Sequence, residues 1–225
     1  MKITLKHQPA YTLAIAQLSN NETVKVEPGA MVSMSDGVAI ETKSEGGLFG
    51  GLKRMVGGES FFQNTFTAPA NGGEITMAPA IPGDMVILEL DGSAPFMLQS
   101  GSYVASEQGI AIDSKWGGAK GFFGSGTLVL LQCTGRGQLL AGCYGAIEER
   151  VLSAGQKYVV DTGHIVGFDG SVGFSVRKVG GWKSTILGGE GLVCELTGPG
   201  RVWMQTRSEQ AFLGWLIPKM PKSTN

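Results

Sequence analysis

The chain has 225 residues, of which 36 are glycine and 42% are hydrophobic, with 18 Lys and Arg against 19 Asp and Glu. This apolar content excludes an intrinsically disordered chain, because it provides enough buried surface to offset the entropy lost on folding. The formal net charge of -1 argues against nucleic-acid binding through bulk charge, which requires concentrated Lys and Arg.

The N-terminal residues predict a first strand rather than a secretory signal. The apolar stretch 9–16 contains Tyr11 and Thr12, is followed by polar residues and has no convincing cleavage site. The longest uncharged apolar run near the C-terminus, 211–217, is too short to span a bilayer. The three cysteines form no CxxC pair, and their odd number is typical of a reducing compartment. We therefore expect a soluble, cytoplasmic protein.

Three stretches of the chain align with one another without a gap. A glycine stands at the same place in each, at Gly29, Gly101 and Gly163, with a valine three residues later and apolar residues nine and eleven residues later. Each copy continues with a Gly-Gly-x-Lys element and a strand-like run. The aligned stretches are 24–40, 96–112 and 158–174, the Gly-Gly-x-Lys elements are 50–53, 117–120 and 180–183, and the strand-like runs are 60–67, 127–134 and 190–197. Because chance would not keep this register three times, the sequence predicts a triplicated repeat.

Within each copy the apolar residues recur at every second position, as they do in half-buried strands. Asp-Gly pairs between these runs favour tight turns. Each copy is expected to close in a turn rich in Gly or Pro, at 68–69, 135–137 and 198–200. Modules of this size bury little core by themselves and are expected to pack against their neighbours.

The predicted fold class is therefore all-β, with three tandem β-sandwich (pseudo-barrel) modules and a short C-terminal helix. The modules are 1–84, 85–146 and 147–206, and the helix and tail are 207–225. In the tail, Ser208 is the expected N-cap, Glu209 lies in the first turn, and Pro218 ends the helix. The apolar residues of this helix must be covered by the sheet or by a neighbouring subunit.

Three modules in a row leave open strand edges at both ends of the chain, and open edges pair with other strands unless they are protected. A closed ring of identical chains removes these edges, because a heterologous interface that closes leaves none free. The chain is therefore predicted to form a homo-oligomer, specifically a trimer with nine modules around a pseudo-ninefold axis.

Several stretches resemble the family named for mitochondrial biogenesis (altered inheritance of mitochondria). The residues that carry the resemblance are 27–32, 50–54, 58–67, 160–166 and 198–206. The resemblance implies a fold similar to that of the tryptophan RNA-binding attenuation protein, with β-sandwich modules arranged in a ring. It implies no agreed enzymatic activity. Mitochondrial members of the family are linked to inner-membrane organisation, but nothing in this sequence is similar to a transit peptide, so a bacterial-type cytoplasmic protein is expected.

The RNA-binding relative reads RNA with clustered basic side chains, and this chain has no equivalent Lys-Lys-Arg cluster. Its basic residues stand in isolated pairs such as Lys53-Arg54 and Arg177-Lys178. Neither RNA binding nor tryptophan binding between modules is therefore expected.

No catalytic template is present: the sequence has no GxSxG, GxGxxG or GxxxxGK[ST] motif, and its two histidines form neither HxH nor HExxH. No metal or cofactor is expected. The local group of Asp161, His164 and Asp169 is the one candidate for acid–base chemistry or ligand binding, with a carboxylate orienting the imidazole. The alternative, which we favour, is that Asp161 holds a turn through a backbone hydrogen bond and that His164 occupies a position held by Ala30 and Ser102 in the other copies.

The Gly-Gly-x-Lys elements are the second candidate site. They combine Lys53, Lys120 and Lys183 with large apolar residues that include Trp116 and Trp182. On one rim of a ring, such loops would present lysines interleaved with aromatic residues to an anionic membrane surface. The alternative is that the glycines form tight connections, the aromatic side chains fill the core and the lysines are solvated.

The functional prediction is a non-catalytic, ring-forming scaffold or interaction protein that acts at a membrane surface or on a protein partner. The first alternative is a small-molecule-binding protein or an enzyme with an unrecognised site near His164. The second alternative is an RNA-binding ring.

Overall fold

The computed structural model describes residues 1–44, 62–113, 128–178 and 192–221. In these residues the chain forms eighteen β-strands and one α-helix. The first nine strands are β1 (Lys2–Lys6), β2 (Leu13–Leu18), β3 (Thr23–Val26), β4 (Met31–Met34), β5 (Ala39–Ser44), β6 (Phe62–Thr67), β7 (Gly73–Met77), β8 (Met85–Asp91) and β9 (Phe96–Gln99). The others are β10 (Tyr103–Glu107), β11 (Ile110–Asp113), β12 (Leu130–Gly142), β13 (Ile147–Leu152), β14 (Lys157–Asp161), β15 (Ile165–Asp169), β16 (Gly173–Lys178), β17 (Leu192–Thr197) and β18 (Gly200–Gln205), and the helix is α1 (Glu209–Leu216). An all-β chain with a short C-terminal helix is thereby confirmed.

The strands recur in one order around Gly29, Gly101 and Gly163. We call β3, β9 and β14 the pre-glycine strands, and β4, β10 and β15 the post-glycine strands. Each post-glycine strand begins two residues after its glycine and pairs antiparallel with β7, with the second half of β12 or with β18. All three of these pairings contain a bulge at the same place. The bulged residues are Val32, Val104 and Val166.

The sets of strands are joined by pairing between a pre-glycine strand and the next post-glycine strand. β3 pairs with β10, where Val26 lies opposite Ala105, and β9 pairs with β15, where Leu98 lies opposite Gly167. In both pairings the residue three positions before one glycine lies opposite the residue four positions after the next. The sheet therefore continues across the module boundaries that the sequence predicts.

As a result, the described strands form three sheets. The largest has eleven strands, in the order β13-β18-β15-β9-β12-β10-β3-β6-β5, with β8 and β11 also paired to β12. A four-stranded sheet has the order β1-β2-β7-β4, and a three-stranded sheet has the order β14-β17-β16. None of these sheets is closed into a barrel, and the ring stays a prediction.

The turn predicted at 135–137 is wrong. β12 runs continuously through these residues, pairing with β9 and β11 in its first half and with β8 and β10 in its second half. Gly135 and Gly137 allow this change of partners because their φ angles are +101° and +139°. A Cβ on Gly135 would also lie 2.1 Å from the carbonyl oxygen of Gly109. The glycines of this segment therefore permit a bend within a strand where the other copies have a turn.

The buried apolar residues of the described chain form three clusters, and each of the first two includes residues from the following set of strands. Val104 packs in the first cluster with Val26 and Phe66, and Val166 packs in the second cluster with Leu98 and other residues. The bulged valine of one set is thus buried in the core of the set before it.

The helix α1 follows its sequence signals. The Ser208 hydroxyl accepts a hydrogen bond from the backbone N–H of Ala211 at 3.4 Å, and Glu209 lies in the first turn. The expectation that the apolar side chains of this helix are covered is not met within one chain. Phe212 contacts the Tyr144 ring edge-on, but Phe212, Leu213 and Trp215 are all exposed.

A buried tyrosine ties the first and second sets of strands together. The Tyr103 hydroxyl accepts a hydrogen bond from Gln63 Nε2 at 2.6 Å, donates one to the carbonyl oxygen of Lys25 at 3.2 Å, and lies 3.0 Å from Ser106 Oγ. Because buried polar groups must be satisfied, this network also fixes the position of β3 against β10.

We expect Tyr103→Phe to lower the free energy of unfolding by about 1–2 kcal/mol, because the buried Gln63 amide loses its acceptor. Urea unfolding followed by circular dichroism measures this change. Tyr11→Phe is the matched control, since Tyr11 is exposed, and it should change the stability by less than about 0.5 kcal/mol. Equal effects of the two substitutions would contradict the structural role of the Tyr103 hydroxyl.

Candidate functional site

The turn that contains His164 is held by hydrogen bonds to its own backbone and to β18. At the end of β14, the Asp161 carboxylate accepts a hydrogen bond from the Gly163 N–H at 2.8 Å. His164 Nδ1 lies 2.7 Å from the carbonyl oxygen of Gln205, and because a carbonyl only accepts, this nitrogen carries the proton. Gln205 Nε2 in turn donates to the carbonyl oxygen of Gly163 at 2.8 Å. These contacts are those that the turn hypothesis predicts for Asp161.

Asp169 belongs to a different contact. Its carboxylate forms a two-point ion pair with Arg201, with Nε to Oδ2 at 3.0 Å and Nη2 to Oδ1 at 3.2 Å. This pairing raises the pKa of the Arg201 guanidinium, which also lies over the ring of Trp203 at 4.8 Å. The structure therefore does not assemble Asp161, His164 and Asp169 into one acid–base group.

A cleft with a volume of about 530 Å³ lies between α1 and the second and third sets of strands. Its walls combine apolar side chains such as Ile81 and Leu213 with the amides of Gln99 and Gln205. Among the described residues that line it, Glu209 is the only ionisable one. A cleft of this composition offers hydrogen bonds but no paired acid and base.

The three cysteines are free and buried. Burial raises the pKa of the Cys133 and Cys194 thiols to about 12 and that of the Cys143 thiol to about 11. They are therefore protonated at neutral pH and are not nucleophiles, because the thiolate is the reactive form. In the described part of the chain, no three His, Cys, Asp or Glu side chains lie close enough together to hold a metal ion.

Among the described residues, Glu27 carries a carboxyl group that is largely removed from water. It follows β3, where its N–H donates to the carbonyl oxygen of Val104 at 2.9 Å. Burial raises the pKa of the Glu27 carboxyl from its ordinary 4.5 to about 7. The segment at the junction of the first two sets therefore carries a group that titrates near neutral pH.

The lysines and tryptophans of the second candidate site, Lys53, Lys120, Lys183, Trp116 and Trp182, lie outside the described residues. The strands that flank these segments are described. β5 pairs with β6, β11 with β12, and β16 with β17, so each Gly-Gly-x-Lys element joins two paired strands. The described strands on either side of the three elements are therefore paired in the same way.

All four residues of β4 are exposed, and three of them, Met31, Val32 and Met34, have large apolar side chains. The bulged Val32 is 58% exposed, whereas its equivalents Val104 and Val166 are 1% and 0% exposed. β10 and β15 are covered by the pre-glycine strand of the preceding set, and β4 has no preceding set within the chain. We call Met31–Met34 the open post-glycine edge. Sequence reasoning predicted open edges at the two ends of the chain, but it did not identify which strands carry them.

A further regularity was missed by sequence reasoning. The strands β2, β8 and β13 each begin sixteen residues before Gly29, Gly101 and Gly163, and pair with equivalent partners. Their sequences LAIAQL, MVILELD and IEERVL share little composition, because β13 carries three charged residues. The signal that could have found them was the constant spacing to the glycine.

The described residues define a class: a mostly β protein with open sheets, a short C-terminal helix and an exposed apolar strand. No described helix has both the length and the apolar character needed to cross a membrane. Residues 3–207 match the model of the mitochondrial biogenesis AIM24 family, and the chain belongs to that family.

Two relatives extend over nearly the whole chain. An uncharacterised protein of Streptococcus pyogenes serotype M6 is 28% identical over 234 residues, covering 100% of this chain and 93% of that protein. A crystal structure of a Streptococcus pyogenes protein from a structural genomics programme superposes with a TM-score of 0.79 and 27% identity, covering 97% of this chain and 99% of that chain. The similarity therefore includes all three sets of strands.

We expect the stability of the protein to fall as the pH rises from about 4.5 to about 7 because of Glu27. Its pKa is higher in the folded chain than in the unfolded chain, so the folded state binds more protons in this window. Glu27→Gln removes this titration. The Tm of the variant relative to the original protein should therefore be higher at pH 8 than at pH 5, by at least about 2 °C.

Differential scanning fluorimetry at the two pH values measures this difference. The matched control is Glu148→Gln, at an exposed residue of β13. The Tm difference between this variant and the original protein should be the same at pH 5 and at pH 8. A Glu27→Gln variant whose relative Tm does not change with pH would contradict the prediction.

Proposed function

We propose that this protein is a non-catalytic scaffold that assembles with copies of itself, forming a closed ring of three chains. The observation that carries this proposal is the open post-glycine edge. Val104 and Val166 are buried, whereas the equivalent Val32 is exposed. Met31 and Met34, on the same strand as Val32, are exposed as well. Exposed apolar strands are sites of protein association, because both their side chains and their backbone groups lack partners.

The recurrence of the strands supports the ring. We infer that the three sets are three copies of one unit, since their bulges, pairings and junction registers coincide. A unit that contacts the next unit through two different surfaces forms a heterologous interface, and such an interface either closes into a ring or extends into a filament. Three chains of three units each would give a ring of nine.

The polar groups support a role without catalysis. Asp161 and Asp169 are both engaged in structural contacts, and the cysteines are protonated. The 530 Å³ cleft supplies one carboxylate and no second ionisable group among its described residues. A function that depends on assembly requires none of this chemistry.

One observation favours a second candidate function, contact with an anionic membrane. The three Gly-Gly-x-Lys elements join equivalent pairs of strands. In a ring of equivalent units, equivalent connections point to the same rim. Nine lysines on one rim would bind an anionic surface cooperatively, with about 1 kcal/mol from each lysine close to the lipid.

For the scaffold, we expect Val32→Asp to convert the assembly into single chains. The substitution places a charge where the proposal buries an apolar side chain, so the dissociation constant should rise by more than about tenfold. Native mass spectrometry should show three times the 23.6 kDa chain mass for the original protein and one chain mass for the variant. Far-ultraviolet circular dichroism should be unchanged, because Val32 is already exposed in the single chain.

Val151→Asp is the matched control. Val151 is an exposed valine on β13, and its equivalents Gln17 and Glu89 are polar, so the proposal does not bury it. This variant should keep the mass of three chains. A single-chain mass for the original protein would contradict the proposal.

For the membrane candidate, we expect the triple substitution of Lys53, Lys120 and Lys183 by Glu to abolish binding to vesicles of phosphatidylserine and phosphatidylcholine. The mass of the assembly should not change. Co-sedimentation measures the binding, and pure phosphatidylcholine vesicles are the control. Binding that survives the triple substitution would exclude this rim as the contact.

A further inference from the structure

Two sheets of the chain end in a strand that lacks one partner. The post-glycine strand β4 is not paired with a pre-glycine strand, and the pre-glycine strand β14 is not paired with a post-glycine strand. The four-stranded sheet ends in the post-glycine strand β4, and the three-stranded sheet ends in the pre-glycine strand β14. At the two junctions inside the chain, a pre-glycine strand and a post-glycine strand are paired to each other. The chain therefore contains two complete junctions of this kind. It also contains one unpaired strand of each type, β4 and β14, at the ends of two different sheets.

We infer that β14 of one copy of this protein pairs antiparallel with β4 of a second copy. The pairing joins the two smaller sheets into one continuous sheet with the order β1-β2-β7-β4-β14-β17-β16. This inference rests on the proposed self-assembly, and it specifies the strands and the register that self-assembly uses. Because β4 and β14 are different surfaces, the contact is head-to-tail.

The register follows from the two complete junctions. In both, the residue three positions before a glycine lies opposite the residue four positions after the next glycine, as Val26 lies opposite Ala105 and Leu98 opposite Gly167. Applied to Gly163 of one copy and Gly29 of the next, this rule places Val160 opposite Ser33. The neighbouring pair is then Val159 opposite Met34.

The side chains of this third junction have the right sizes. In each complete junction a branched aliphatic residue faces a residue with a small side chain or none: Val26 faces Ala105, and Leu98 faces Gly167. Val160 and Ser33 repeat this combination. The small partner matters because both members of the first pair are fully buried, where space for a second large side chain is lacking.

The bulged valine gives an independent argument. Val104 is buried in the first core cluster and Val166 in the second, in each case the core of the preceding set. The third cluster includes Val160 and Leu196 of the last set, together with Met97 and Leu130 of the second set. Val32 of a second copy is the remaining bulged valine, and the junction places it against this third cluster.

The composition of β4 also indicates a paired strand. Proteins protect exposed sheet edges with charged residues, especially lysine. Of the described strands that pair on one side only, β4 alone, with the sequence MVSM, carries no charged residue. It is also one residue shorter than β10 and β15, as expected if its last backbone pair forms only with the second chain.

Cysteine cross-linking tests both the partner and the register. Met34→Cys and Val159→Cys are prepared as two separate proteins, since both side chains are exposed in the single chain. The proteins are mixed, allowed to exchange subunits and oxidised with a copper–phenanthroline catalyst. The native thiols are buried and do not compete. The expected product on a non-reducing gel is a disulfide-linked pair that contains one chain of each variant.

Two controls fix the geometry. Lys157→Cys replaces Val159→Cys as the register control, because it lies on the same face of β14 two residues away, too far from position 34 to form a disulfide. Each variant oxidised alone tests for a symmetric contact. Three results would overturn the inferred junction and leave self-assembly standing. They are preferential linkage between positions 34 and 157, linkage of a variant to itself, and no linkage in a protein whose native mass is that of several chains. A single-chain native mass would instead overturn the proposed function, and the junction with it.

Discussion

The pairing of a pre-glycine strand with the post-glycine strand of the next set is the contact on which this structure depends. It turns separate groups of short strands into one eleven-stranded sheet, and it buries Val104 and Val166 in the cores of their neighbours. Complete burial of a valine side chain is worth about 1.5–3 kcal/mol, and the backbone hydrogen bonds of the junction add to this. Neighbouring sets therefore share core residues, and each set is stabilised by the one beside it.

The polar groups of the chain are used mainly to hold this framework. The turn at His164 is tied to β18 through Gln205, and Tyr103 links β3, β6 and β10 through its hydroxyl. Asp169 and Arg201 neutralise each other across β15 and β18. Groups that are engaged in this way are poorly placed for acid–base chemistry, because a change of protonation would break structural hydrogen bonds. Among the described residues, these polar groups are engaged in structural contacts, whereas the apolar strand β4 is exposed.

The uneven exposure of equivalent residues has one physical origin. The described strands contain two pairings of a pre-glycine strand with a post-glycine strand, and β4 and β14 are left without such a pairing. The apolar residues of β4 are exposed for a reason of connectivity, because the equivalent valines Val104 and Val166 are buried where a neighbouring set is present. The folding of the single chain and its proposed assembly thus depend on the same contact.

The sequence by itself determined the periodic features: the strand periodicity of two, the spacing around Gly29, Gly101 and Gly163, the cap at Ser208 and the family membership. These are local or regularly spaced, so they can be read without coordinates. Only the tertiary structure decided that β12 passes through Gly135 without a turn, that β2, β8 and β13 are equivalent, and that β4 is the uncovered strand. Each of these depends on which distant strand supplies the hydrogen bonds, and the side chains of a strand do not encode the identity of its partner.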